Sequence, residues 1–195
     1  MKYFIALLLV FTFSCNPPKK ATLKLEKLSK TNGQAALELV QKQLDFGPRT
    51  LNSPAAEKCA EYIAKFARNL GYSVVLDTWS EGRGANTKVF RNIICTRPGK
   101  GDYFVLCGSH YDTKTIKEFP DFTGANDGAS STALLMQLMR QIAKSDKWLN
   151  SCEMRFVFFD GEEAFIEYTE EDGLNGSKRY AQQLYQKNEH TKCRA

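Results

Sequence analysis

A chain of 195 residues suits one domain and is short for two. Its 43% hydrophobic and 25% charged residues allow a sizeable core and exclude the disordered and fibrous classes. The formal charge of +5 is carried without a basic run interleaved with aromatics and without zinc-finger or helix-turn-helix spacing, so nucleic acid is not expected as a partner.

In chain order, Lys2 precedes an apolar run from Tyr3 to Phe13, followed by Ser14-Cys15-Asn16-Pro17-Pro18. The run falls short of the roughly 20 residues that span a bilayer, so residues 1–14 read as a signal peptide. A small residue before Cys15, with polar and proline-rich sequence behind it, resembles the lipobox of bacterial lipoproteins. That resemblance implies a lipid anchor through Cys15 and a place in the cell envelope, facing the periplasm or the exterior. Ordinary secretory cleavage nearby is the other reading, and both take the chain out of the cytoplasm. Residues 15–32 read as a tether, and the foldable part is 33–195.

Residues 34–44 place Leu37, Val40 and Leu44 on one helical face, and Gly47-Pro48 stops that helix. Ser53 as N-cap and Pro54 at the first helical position open a second helix with Ala56, Ala60, Ile63, Ala67 and Leu70 inward, ended by Gly71. Residues 72–78 and 88–96 predict two strands paired antiparallel across a polar loop. The more continuously apolar runs 103–108 and 154–159 predict strands covered on both faces. A helix over Ala129–Lys144 lies between them, and another runs from Ser177 to about Lys187 with Tyr180 and Leu184 inward. Helices interleaved with buried strands predict a three-layer α/β/α domain with a mixed, mostly parallel sheet.

Of the six cysteines, acylation of Cys15 would leave five, an odd number that cannot all pair within the chain. Cys59, Cys95 and Cys107 lie in helix-like or strand-like segments and are expected as small buried hydrophobes. There is no CxxC pair, which argues against a thiol redox centre or a cysteine zinc knuckle.

Reactive groups in α/β sheets collect beyond the carboxyl ends of the strands. Gly108-Ser109-His110-Tyr111-Asp112 follows one predicted strand, Asp160-Gly161-Glu162-Glu163 follows another, and Asp127 lies at a helix start between them. One imidazole and several carboxylates converging there suit zinc. Glu162 and Glu163 are neighbours in an extended turn and point to different sides, so one can hold a metal while the other carries a proton. A solvated acidic loop, continued by Glu167, Glu170, Glu171 and Asp172, is the competing reading of the pair. His110, with Asp112 two positions on to orient it, reads either as a site residue or as a satisfied structural histidine. Gly124, Gly128 and Gly161 form neither GxGxxG nor GxxxxGKS/T, so no nucleotide is expected, and the absence of GxSxG excludes a serine hydrolase of that type.

Several stretches resemble the M28 family of zinc-dependent peptidases and, within it, the glutaminyl-peptide cyclotransferases. They are Gly47-Pro48-Arg49 with Ser53-Pro54, Ser109-His110-Tyr111-Asp112, Gly124-Ala125-Asn126-Asp127-Gly128-Ala129, Phe158-Phe159-Asp160-Gly161-Glu162-Glu163-Ala164-Phe165 and Asp172-Gly173-Leu174-Asn175-Gly176-Ser177. The inserted aromatic and acidic segment Ala164–Asp172 is similar to that of the cyclotransferases rather than the aminopeptidases.

The resemblance implies one Zn2+ ion held by Asp127 and Glu163, with Glu162 as general acid/base, His110 as a non-ligating site residue and Asp112 supporting the site from behind. It implies action on peptides with an N-terminal glutamine, giving pyroglutamate and ammonia. Two alternatives stand: an M28 metallo-aminopeptidase and a noncatalytic lipoprotein that keeps part of the fold. Family members continue past the position of Ala195 and supply there another site aspartate, a zinc histidine and further strands. Residues 33–195 are therefore expected to be the amino-terminal part of an M28-like catalytic domain, incomplete in its fold.

Overall fold

The computed structural model describes residues 33–144, 152–170 and 172–194. The predicted signal peptide and tether, Cys15 included, lie outside the described residues. Helix α1 (Gly33–Leu44) leads to α2 (Pro54–Asn69), the hairpin β1 (Ser73–Glu81) and β2 (Lys88–Arg97), then β3 (Phe104–His110) and α3 (Ser131–Ala143). After α3 come β4 (Glu153–Phe159), α4 (Asn175–Gln186) and the short β5 (Cys193–Arg194).

The sheet order is β1-β2-β4-β3-β5. β2 pairs antiparallel with both β1 and β4, while β3 pairs parallel with β4 and β5. Among the described strands β2 alone therefore runs against the others, and the sheet is mixed as expected from the early hairpin.

Side-chain alternation on β4 joins the three layers. Met154, Phe156 and Phe158 enter the larger core with Leu39 of α1, Ile63 of α2 and Met136 of α3. Val157 faces the opposite side with Phe104, Tyr180 and Leu184, so α4 covers that face. A central strand buried on both faces must be apolar at successive positions. Burying a side chain such as Phe156 contributes about 1.5–3 kcal/mol.

Two local expectations change. Leu37 of α1 is exposed, and the buried face instead carries Leu39 and Gln43. The polar Gln43 can sit there because its amide nitrogen donates to the carbonyls of Ala129 (3.0 Å) and Leu39 (3.1 Å). The helix predicted from Ala129 begins as α3 at Ser131, after a kinked wide turn over Ala125–Ser130. The start of α2 follows the capping rule, with Ser53 Oγ accepting the Ala56 N–H at 3.1 Å.

The architecture brings the polar motifs together. β3 and β4 are parallel neighbours whose ends coincide, with His110 opposite Phe159, and the Tyr111 N–H continues the ladder to the Phe159 carbonyl at 3.1 Å. The chain after each strand therefore emerges at the same edge. Arg49, fully buried, ties in the third segment: Nε donates to the Tyr111 carbonyl (2.8 Å) and Nη1 to the Thr123 carbonyl (2.9 Å).

Candidate active site

His110 closes β3, and its ring is held between two acids. Nε2 lies 3.1 Å from Asp127 Oδ1, and Nδ1 lies 3.4 Å from the buried Asp112 Oδ1. The Thr132 hydroxyl donates to the His110 carbonyl at 2.8 Å, which fixes the backbone beneath the ring. Asp127 comes from the kinked turn before α3, whose path needs Gly128 at φ +83°. A Cβ at Gly128 would also stand 2.9 Å from the Asp112 carbonyl oxygen and 3.2 Å from His110 Cε1, so this glycine lets the turn lie against the imidazole.

Glu163 approaches from the end of β4. Its N–H donates to Asp112 Oδ2 at 3.0 Å, and its Oε2 accepts from the Tyr168 hydroxyl at 3.0 Å. His110, Asp127 and Glu163 each offer one ligand atom, all within 4.8 Å of one another. Burial disfavours a charged imidazole, but the carboxylates of Asp112, Asp127 and Glu163 outweigh it and push the His110 pKa up to about 9. Three carboxylates thus surround one imidazole, a concentration of negative charge that suits a cation.

Glu162 turns away from this cluster to the start of α4. Its Oε1 accepts the Ser177 N–H and its Oε2 the Ser177 hydroxyl, both at 2.7 Å. Burial raises its pKa against the opposing effect of these two bonds. The two adjacent acids thus have different anchors.

The structure brings His110, Asp127 and Glu163 together, places Asp112 behind His110 and sets Glu162 beside them on Ser177. The sequence reading did not identify Arg49, Tyr168 or Ser177 as supports of the site. Their signals were present in the matched stretches and the segment inserted between them: an arginine after Gly-Pro, an aromatic in the inserted segment and a serine near a helix start. Asp160 serves the fold instead, accepting the Arg91 and Gly161 N–H groups at 2.9 Å from a buried position. Burial, reinforced by Asp112, pushes its pKa up to about 7.

Residues 92–195 match the model of peptidase family M28. The chain belongs to family M28. The match begins within β2 and includes His110, Asp112, Asp127, Glu162 and Glu163.

Among its relatives, the glutaminyl-peptide cyclotransferase of Dictyostelium discoideum is 31% identical over 199 residues, covering 89% of this chain and 52% of that protein. The crystal structure of a glutaminyl cyclase from an Acidobacteriales bacterium superposes with a TM-score of 0.74 at 30% identity, covering 84% of this chain and 56% of that one. A Zn-dependent exopeptidase from Parabacteroides distasonis superposes with a TM-score of 0.66 at 26% identity, covering 77% of this chain and 56% of that one. The chain spans about half the length of these relatives. Their shared α/β architecture agrees with the three layers described above.

Proposed function

We propose that the chain carries catalytic residues of a zinc-dependent glutaminyl-peptide cyclotransferase, which converts the N-terminal glutamine of a peptide to pyroglutamate and releases ammonia. The observation that carries this reading is the division of labour between Glu163, clustered with His110 and Asp127, and Glu162, half-buried on Ser177 with a raised pKa. The names of the similar proteins support it.

The donor set fits zinc. Catalytic zinc sites use three protein ligands of the histidine and carboxylate type and keep one position for substrate. Asp127 and Glu163 would hold the ion, and His110 Nε2, in reach of the same point, stays a non-ligating neighbour in the cyclotransferase reading and becomes a donor in the aminopeptidase reading below. Asp112 Oδ1, buried and without a hydrogen-bond partner among the described residues, stands 3.4 Å from His110 Nδ1, where it supports the imidazole from behind. Bound zinc would supply a Lewis acid that polarises the glutamine side-chain carbonyl.

The remaining chemistry belongs to the chain and its substrate. The substrate's α-amine attacks its own side-chain amide carbon, a ring C–N bond forms, and the amide C–N bond breaks. Glu162 takes a proton from the amine and returns it to the departing ammonia, so no water is consumed. A pKa raised by burial suits that exchange, and the two Ser177 donors fix the orientation of the carboxylate. Nucleophile and electrophile belong to one residue, so holding them together lowers the entropic barrier.

The reach of His110 toward Asp127 and the similarity to a Zn-dependent exopeptidase favour a second reading, a metallo-aminopeptidase. The zinc-loaded chain with a Gln-initiated peptide separates the two. Ammonia without free amino acid supports the cyclotransferase, free amino acid without cyclisation selects the aminopeptidase, and neither product rejects catalysis by these residues alone. In a version that turns over, Glu162→Gln is expected to lower kcat by about 100-fold or more while zinc stays bound, as measured by turnover and metal analysis.

We also propose a lipid anchor at Cys15 and an envelope location, supported by the Tyr3–Phe13 run and Ser14-Cys15. Labelled palmitate incorporated by the wild type and lost in Cys15→Ala tests it. Among the described residues no helix is long and apolar enough to cross a membrane.

A further inference from the structure

We infer that Tyr168 is a positioning residue for Glu163: its phenol hydroxyl holds one oxygen of that carboxylate and so fixes how Glu163 is presented to the metal. This rests on the zinc site proposed above and adds a residue to its support.

The inference stands on how rigidly the segment carrying Tyr168 is closed. Asp172 Oδ1 accepts the Phe165 N–H and Oδ2 the Ile166 N–H, both at 2.8 Å, so one carboxylate grips the start of the loop from its end. Thr169 and Asp172 bond each other twice: the Thr169 N–H donates to the Asp172 carbonyl and the Asp172 N–H to Thr169 Oγ1, both at 3.0 Å. From the first turn of α4, Lys178 Nζ donates to the carbonyls of Thr169 (3.1 Å), Glu170 (2.9 Å) and Gly173 (3.0 Å). One ammonium thus meets three carbonyls of the same loop, matching its three donors.

The ring of Tyr168 has its own seat. It lies against Gly173, where a Cβ would come within 2.7 Å of Cδ1 and where φ is +85°. Lys114 donates to the Ala164 carbonyl and stands 5.6 Å from the ring centroid. The hydroxyl reaches Glu163 Oε2 at 3.0 Å. Although 59% of the residue is exposed, its polar end is committed to Glu163. Because the hydroxyl occupies Oε2, it restrains rotation of the carboxylate and favours coordination through a single oxygen. Outer partners of metal ligands act in this way, and their loss weakens metal affinity about 10- to 100-fold.

The test uses the full chain with zinc alone, titrated against a chromophoric chelator, and with Co2+ as a spectroscopic substitute. Tyr168→Phe keeps the ring and removes the hydroxyl. The expected result is zinc affinity lower by about tenfold, shifted cobalt visible bands and an unchanged melting temperature of the metal-free protein. Gly173→Ala, which pushes the ring from its seat with the hydroxyl intact, is expected to weaken zinc in the same direction. Wild-type affinity and cobalt bands in Tyr168→Phe overturn the inference and leave the zinc site standing. Failure of the wild-type chain to take up zinc overturns the site and the inference together.

Discussion

Replacing Arg49 by Met tests whether the segments carrying His110 and Asp127 are held by a buried cation. The arginine is fully buried and donates to the Tyr111 carbonyl at 2.8 Å and the Thr123 carbonyl at 2.9 Å, with a longer contact to the Gln43 carbonyl at 3.4 Å. Hydrogen bonds to a charged group contribute about 1.5–3 kcal/mol each, so the two short bonds amount to about 3–6 kcal/mol. Removing the charge recovers part of its desolvation cost, which shows here as a lowered Arg49 pKa and an Nη2 buried without a partner among the described residues. A recovery of about 1–3 kcal/mol leaves Arg49→Met destabilised by about 3 kcal/mol. Urea unfolding of the full chain measures this as a lower midpoint at unchanged slope. Arg49→Lys is expected to lose nearly as much, because an ammonium lacks the planar fork that reaches both carbonyls. A loss below about 1 kcal/mol in Arg49→Met would mean that water or another donor serves these carbonyls, refuting the staple.

Asp77 accepts from Arg179 Nε and Nη2 at 2.8 Å, and the Arg179 and Gln183 bonds hold its pKa below the usual carboxylate value despite burial. A depressed folded-state pKa means this stabilisation is present above the unfolded value near 4 and is lost as pH falls through the folded one. Asp77→Asn should cost about 1 kcal/mol at neutral pH and flatten that part of the acid unfolding profile, followed by circular dichroism. Gly128→Ala must strain φ or displace His110, so it is expected to destabilise by about 1–3 kcal/mol in chemical unfolding and to weaken zinc uptake in a chelator competition.

The elements were legible where periodicity and caps agree. Ser53-Pro54 at one end and Gly71 at the other bracket α2, and the apolar run of β4 announces a strand covered on both faces, whereas β3 forms a strand as expected but is fully buried only at Phe104. Pattern reading misplaced the inner face of α1 because Gln43, a polar residue, is buried by bonds to Ala129 and to its own helix. The start of α3 was displaced for a similar reason: the backbone from Ala125 to Ser130 is shaped by Gly124 at φ +55°, Gly128 at φ +83° and contacts with His110, none of which is local periodicity. At the site, the acids could be located at strand ends, but the direction of each side chain could not. Ser177 lies fifteen positions beyond Glu162, and only the return of the chain at α4 brings them together.

Because Glu162 and Glu163 are adjacent and face different anchors, the numbering of this turn matters more than its composition. The turn is pinned on both sides, by the Glu163 N–H on Asp112 and by the Asn175 N–H on the Gly161 carbonyl. Inserting one residue before the pair would keep both glutamates in the chain yet send the would-be proton carrier to the ligand position, and deleting one would send the would-be ligand to the place of the proton carrier. The four residues Asp160–Glu163 therefore tolerate neither insertion nor loss, and the loop beyond Ala164 can change in length only where the seat of Tyr168 and the grip of Asp172 and Lys178 on the loop are kept.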